Sequence, residues 1–406
     1  MIYETLKKIH YTVPLEVEDI YRSRYNAPFT KHFPFDIKQL NRKNKYPAFL
    51  CYTEELLLLI EKIYKNYEKF LYKVNSVPPV VLHQFALACI VDEVKATNDI
   101  EGVYSTRREL KEVLDGLSEK SQFSSIVNKY HNLINKEKFL FDTPYNIRKF
   151  YDNFAHKEVI AANPKNRLDG ECFRKEIVEI TTPTGKIIHK GLYPENIIIK
   201  YLNIALNVLN DENIPSLIRF AIFHFLFEYI HPFYDGNGRT GRFITSYYIS
   251  QHFHYIIALR LSVIIKKHRK KYYDLFNSTE EEVNRGDLTP FVYGFIQIIS
   301  DTFDDVIEIL DRKMAQLVKY KEKLFNIIPS DELNQNLYFI LLQASLFYGQ
   351  GVSMQDLMKI TGKSRNTIKS RLLSMPKDHI IKRNAKTHYY KLNMLLFNDK
   401  KQNPRR

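Results

Sequence analysis

Cysteine is scarce in this chain of 406 residues: Cys51, Cys89 and Cys172 form an odd set with no C-x-x-C spacing. That excludes a disulfide framework and a cysteine zinc site, and leaves three reduced thiols. Glycine and proline are few, 13 and 16, so collagen-like and low-complexity architectures are excluded as well. Long apolar runs are also missing. The longest, Phe220 to Ile230, is interrupted by His224 and Glu228 and falls well short of the ~20 residues that span a bilayer. Met1 to Lys8 carries no apolar region behind its basic residues, so no secretory leader is expected. A cytoplasmic protein without membrane contact is the expectation.

Against these absences, apolar residues at 45% and charged residues at 26% are ordinary for a globular protein. Apolar positions recur at three- and four-residue spacing over long stretches, which predicts a mainly α fold. Glu54 to Val74 and Val81 to Thr97 read as amphipathic helices parted by the breaker Asn75 to Pro79. Around Val178 to His189 the pattern becomes a short alternation about Thr182-Pro-Thr-Gly185, predicting a β-hairpin that turns at the glycine. After the long helical pattern Ile307 to Leu324, proline and polar residues at Ile327 to Ser330 mark a boundary. The formal charge of +14 is uneven. Asp331 to Arg406 holds fourteen Lys/Arg and five Asp/Glu, a balance of +9, so +5 is spread over the first 330 residues.

The segment that carries chemistry is His231-Pro-Phe-Tyr-Asp-Gly-Asn-Gly-Arg-Thr-Gly-Arg242, between two helical patterns. It is not a calcium loop, since Arg239, Thr240 and Ser246 stand where such a loop starting at Asp235 needs an acid, a glycine and a glutamate. Nor is it a Walker P-loop, because Arg242 and Phe243 replace the terminal lysine and hydroxyl residue and a helix, not a strand, precedes it. What remains is a glycine-rich turn opening a helix, which is an anion cradle. Gly236 and Gly238 permit close backbone approach, and the free N–H groups and positive end of the next helix face the anion. Arg239 and Arg242 add charge-assisted contacts to phosphate oxygens. Asp235 is suited to Mg²⁺, which takes one or two carboxylates plus substrate phosphates. His231 supplies a base titrating near neutrality. Together these describe phosphoryl or nucleotidyl transfer.

His231 to Arg242 resembles the Fic motif, H-P-F-x-[DE]-G-N-G-R-x-x-R, at every defined position, and the resemblance extends roughly from Val81 to Ile299. It implies a helical bundle with a small β-hairpin flap that transfers AMP from ATP to a Tyr, Thr or Ser hydroxyl of a target protein or of itself, releasing pyrophosphate. His231 is then the general base, and Asp235 holds Mg²⁺ on the α- and β-phosphates. Gly236, Asn237, Gly238, Arg239, Thr240, Gly241 and Arg242 bind the phosphates, Arg242 at the γ-position, and Phe233 anchors the loop. The hairpin at Thr181 to His189 is similar to the flap that pairs with a target segment. Tyr272-Tyr273 and Asn284 to Asp287 are similar to the adenine pocket, with Tyr273 and Asn284 as contacts and a spacing several residues longer than the family's. Thr97-Asn-Asp-Ile-Glu101-Gly102 resembles the inhibitory motif [ST]-x-x-x-E-[GN]. Thr97 and Glu101 share a helix face, and the implied brake is a salt bridge from Glu101 to Arg242 that leaves ATP in an unproductive pose. The same carboxylate could orient water for removal of AMP.

The tail, Ser353 to Leu372, fits a helix-turn-helix with Ser364 as N-cap, followed by a two-stranded wing at Ile381 to Lys391. It is similar to the winged helix found after many Fic domains. Arg365, Asn366, Lys369 and Arg371 fall on the recognition helix, and Lys382, Arg383 and Lys386 in the wing, as DNA contacts; a protein-partner role is the alternative. The expected organisation is an N-terminal helical region at 1–80, a Fic domain with its inhibitory helix at 81–325, and a winged helix at 331–406. ATP, Mg²⁺, a target protein and DNA are the implied partners, and a homodimer is admitted. The alternatives to AMP transfer are a DNA-binding regulator with a nucleotide-sensing core and a Fic enzyme that uses another donor.

Overall fold

The computed structural model describes residues 3–118, 121–181, 184–328, 330–347, 351–384 and 388–397. At its centre lies the helix Ser216–Ile230, apolar on every side and buried along nearly its whole length. A helix of this kind has no face for water, so other helices must surround it. Glu195–Asn210, Asn237–His252 and Thr289–Phe325 pack directly against it. The last of these is buried through Phe291, Phe295, Ile299, Phe303 and Val306, then extends beyond the core on Leu310, Leu317 and Leu324 to meet the helix Glu332–Phe347. Upstream, Glu54–Asn75 and Pro79–Ile100 form on the predicted apolar spacing, with Thr53 capping the first through the Leu56 N–H.

Residues 1–80 are not wholly helical, contrary to expectation. Strands β1 (Thr30–Ile37) and β2 (Tyr46–Cys51) form an antiparallel hairpin in register Thr30 to Cys51. Phe33, Phe35 and Ile37 turn inward at alternate positions, a period of two that short length and Pro34 obscure in a helix-rich chain. The hairpin docks on the segment after the helix Arg269–Glu280, with Phe49 N–H donating to Gly286 O at 3.1 Å and Leu288 N–H donating to Phe49 O at 2.9 Å.

β3 (Glu179–Thr181) and β4 (Ile187–Lys190) make the expected second hairpin, with Gly185 at φ 82 in its turn; Thr182 and Pro183 lie outside the described residues. In the tail, Met354–Thr361 and Arg365–Ser374 flank Gly362 in a left-handed turn, and Ser364 accepts from Thr367 N–H at 3.2 Å. β6 (Ile380–Asn384) pairs with β7 (His388–Leu392), and β5 (Val352–Ser353) adds a third strand against β7. Lys386 lies outside the described residues. Among the described residues no helix is long and apolar enough to cross a membrane, and all three cysteines are free.

Candidate active site

His231 occupies the C-cap of the central helix in the left-handed region, φ 51 and ψ 63. A non-glycine residue persists there only when its surroundings fix it, and such outliers gather at functional sites. Arg174 does the fixing. Its buried guanidinium donates to His231 O at 2.9 and 2.8 Å and to Leu192 O at 2.9 Å. The imidazole Nδ1 lies 3.2 Å from Glu228 O. A carbonyl can only accept, so Nδ1 carries the proton and the Nε2 lone pair is left as the base. Burial, reinforced by the neighbouring His189, pushes the imidazole pKa down to about 3, so the ring is neutral at physiological pH.

The loop after His231 is clamped from within. Asn237 accepts from Phe233 N–H and donates to Phe233 O, both at 2.8 Å. Phe233 stacks on Tyr151 with ring centroids 3.7 Å apart, and the Tyr151 hydroxyl donates to Asp235 O at 3.0 Å. Phe233 therefore sits in the core as the anchor, and Asn237 shapes the loop through its side chain. Gly236, at φ 80, caps the helix Asn237–His252. The Thr240 hydroxyl donates to Gly236 O at 2.8 Å, and a Cβ on Gly241 would come within 2.6 Å of Glu228 Oε1. Thr240 thus braces the first turn of its own helix, and Gly241 lets that helix pack closely on Glu228 and Phe227.

The two loop arginines are buried and each is paired. Arg239 binds Glu158 at 2.6 Å. Arg242, 1% exposed, binds Glu101 at 2.7 Å, and also donates to Thr97 Oγ1 at 2.9 Å and to Thr97 O at 3.1 Å. Burial opposes ionisation of both Glu101 and Arg242, but their mutual attraction prevails: the carboxyl is held below its usual range and the guanidinium is raised. Glu101 caps the end of the helix Pro79–Ile100 and remains 28% exposed. Its carboxylate lies over the loop so closely that a Cβ on Gly238 would be 2.1 Å from Glu101 Oε1. A protein carboxylate therefore rests on the backbone of the anion cradle.

These groups meet in a cavity of about 160 Å³ lined by Glu101, Glu228, His231, Gly238, Arg242 and Tyr273. The flap closes one side through Ile180, Ile188 and His189. His189 bridges Glu280 and Tyr229 O at 2.8 Å each; burial opposes its charge, but Glu280 raises its pKa. Asn284 is placed elsewhere. It is buried, accepts from Lys7 N–H at 2.9 Å and donates to Ser278 O, so it ties the N-terminal helix to the core and does not line the cavity. Asp235 is half-buried, with its carboxylate near Gly236 N–H and 3.5 Å from the Asn166 amide. Among the described residues no group of His, Cys, Asp and Glu could enclose a metal by itself. A lone carboxylate fits an ion that arrives with substrate phosphates.

Four participants escape sequence reasoning. Arg174 and Glu158 come from irregular or remote segments with no motif around them. Tyr151 reads as one core aromatic among many. Glu228 had a signal, as the charged residue that interrupts the apolar helix three positions before His231. Burial pushes its carboxyl up to about 8, and its Oε1 is buried without a hydrogen-bond partner.

In the tail, Arg365, Asn366 and Lys369 are exposed on one helix. Arg371 instead lies 3.5 Å from Asp331, and Arg383 lies 3.3 Å from Asp115.

Comparison with known proteins places this site in context. Residues 154–249 match the model of the Fic/DOC family. The chain is 34% identical to the protein adenylyltransferase Fic of Aedes aegypti over 84 residues, covering 21% of this chain and 15% of that protein. It is 32% identical to the protein of the same name from Drosophila erecta over 99 residues, 24% of this chain and 18% of the relative. The matched region is therefore a small part of these relatives' length. A crystal structure of a Fic family protein from Desulfovibrio desulfuricans G20 superposes with a TM-score of 0.52 at 19% identity, covering 84% of this chain and 96% of that one, which shows a shared fold. The helical core that presents His231 to Arg242 thus lies within a segment that matches the Fic/DOC family model, in a fold shared with that solved Fic family protein.

Proposed function

We propose that the chain is an autoinhibited protein adenylyltransferase that moves AMP from ATP to a Tyr, Thr or Ser hydroxyl of a target protein or of itself, releasing pyrophosphate. The observation that carries this reading is the joint placement of a neutral His231 and a helix N-terminus with Arg242 around one cavity. His231 Nε2 takes the proton from the attacking hydroxyl, and the alkoxide attacks the α-phosphorus in line with departing pyrophosphate. Backbone N–H groups at Gly236, Asn237 and Gly238 receive phosphate oxygens, and Arg242, once released, balances the terminal phosphate charge. Asp235 would hold Mg²⁺, which neutralises phosphate charge when bound. Arg239, neutralised by Glu158, fixes the loop from behind. Tyr273 borders the nucleotide, while Asn284 serves packing. β3 offers its free edge to an extended target segment.

Thr97, Glu101 and Gly102 form the brake. Glu101 occupies both Arg242 and the cradle, so a triphosphate must displace it to bind productively. The same carboxylate, exposed toward the cavity, can orient water for removal of AMP. Intact-mass measurement of Glu101→Gly and of His231→Ala/Glu101→Gly after incubation with ATP tests the assignment: an AMP adduct is expected only when His231 is present.

The tail suits duplex DNA, since Arg365, Asn366 and Lys369 are exposed on the second helix of a winged helix-turn-helix. Binding of the full chain to duplex DNA should fall steeply with salt and weaken in Arg365→Ala/Lys369→Ala. Equal binding by the variant would favour a protein-partner role.

A further inference from the structure

Between the helices Leu261–Lys267 and Arg269–Glu280 the sequence runs Lys266-Lys267-His268-Arg269-Lys270-Lys271. All five Lys and Arg side chains are exposed. Two of them grip the end of the helix that bears Glu101. Lys266 pairs with Asp99 at 2.7 Å, and Arg269 donates to Ile100 O at 3.0 Å. Arg269 also lies over the ring of Tyr273, 5.7 Å from its centroid, and Tyr273 lines the catalytic cavity. Among the described residues Lys267, Lys270 and Lys271 make no ion pair, and with Asp274 they line a shallow groove. Holding the helix end needs two cations. Three more beside them repel one another unless a polyanion is there to use them.

We infer that this run docks an acidic segment of the protein substrate, and that the segment loosens the brake by drawing Lys266 and Arg269 away from Asp99 and Ile100. Docking of an acidic segment stands on the patch alone; that the segment belongs to the protein substrate rests on the proposed transfer activity, and the regulatory half rests on the proposed role of Glu101. Position favours a polypeptide over nucleic acid. The run opens the helix whose Tyr272, Tyr273, Phe276 and Asn277 wall the cavity, so a segment crossing the patch belongs to the molecule presenting the hydroxyl. Asp274 and His268, the latter 3.5 Å from Asp301, interrupt the cationic surface, which suits spaced carboxylates better than a continuous phosphate backbone.

The test is fluorescence anisotropy of a labelled Asp/Glu-rich decapeptide and of a labelled DNA duplex on the full chain. It compares wild type with Lys267→Glu/Lys270→Glu/Lys271→Glu after matched melting curves establish that both are folded. The peptide should bind wild type in a salt-sensitive manner and bind the variant about tenfold more weakly or worse, with DNA binding unaltered. Equal peptide binding by both proteins, no peptide binding, or loss of DNA binding alone would each overturn docking. In a second arm, the peptide should raise labelling of wild type by ATP but not of Glu101→Gly. If the peptide binds and Glu101→Gly is highly active while wild type does not respond, the regulatory half is overturned. If Glu101→Gly is no more active than wild type, the brake reading itself fails and anisotropy alone decides docking.

Discussion

Replacing Glu101 with glycine should convert a nearly silent protein into an active one, and the structure sets the scale. Arg242 loses a 2.7 Å ion pair in which it is 1% exposed and Glu101 is 28% exposed. It keeps its contacts to Thr97 Oγ1 and O, so the guanidinium stays oriented while its charge loses its partner. A hydrogen bond to a charged group contributes about 1.5–3 kcal/mol, lower here because one partner is partly solvated. That free energy no longer has to be overcome when the terminal phosphate reaches Arg242. Removing the carboxylate also clears the backbone at Gly238. At about 1.4 kcal/mol per factor of ten, AMP transfer should rise about 10- to 100-fold. The assay is incorporation of label from α-³²P-ATP into the chain itself and into lysate proteins, with His231→Ala/Glu101→Gly as the blank. Glu101→Gln, which keeps shape and loses charge, should fall between wild type and glycine. A folded Glu101→Gly that labels no more than about twice as fast as wild type would refute the reasoning, because the Glu101–Arg242 pair would then compete with nothing.

Two pH experiments follow. In Glu101→Gly the rate should stay flat on the acid side from about pH 7.5 down to about pH 5, because burial holds the His231 pKa at about 3; an acid limb with a midpoint near 6.5 would show a solvated imidazole instead. Glu228 has a folded pKa raised to about 8, so on folding it takes up a proton over the range between its unfolded pKa and about 8. The resulting penalty is absent below the unfolded pKa and grows as pH rises toward 8. Glu228→Gln should therefore stabilise the protein by on the order of 2 kcal/mol at pH 7 and by almost nothing at pH 4; a gain in Tm equal at both values would contradict this.

Chemistry confined to a short stretch of chain could be read directly from the sequence. His231 to Arg242 needs only its own spacing to make a base and an anion cradle, and the i,i+4 placement of Thr97 and Glu101 turns both toward Arg242. Groups brought together by tertiary structure could not be read. Arg174 fixes the strained His231 from a loop 57 residues away, and Glu158 meets Arg239 across 81. The β1–β2 hairpin was missed although Phe33, Phe35 and Ile37 alternate, since two short strands carry little weight beside long helical periodicities. Asn284 shows the converse error, in which similarity of a segment suggested a nucleotide contact while the residue bonds to the N-terminal helix. The lysine run at 266–271 is plain in the sequence, but its grip on Asp99 and Ile100 exists only in the fold.

Intact-mass analysis of Glu101→Gly after incubation with ATP, UTP and CDP-choline in parallel, alongside His231→Ala/Glu101→Gly, tests the proposed chemistry most directly. The expected result is an AMP adduct on a hydroxyl residue with ATP alone, with pyrophosphate released in equal amount and no adduct once His231 is gone. A phosphate, UMP or phosphocholine adduct, or an AMP adduct that survives loss of His231, would contradict it.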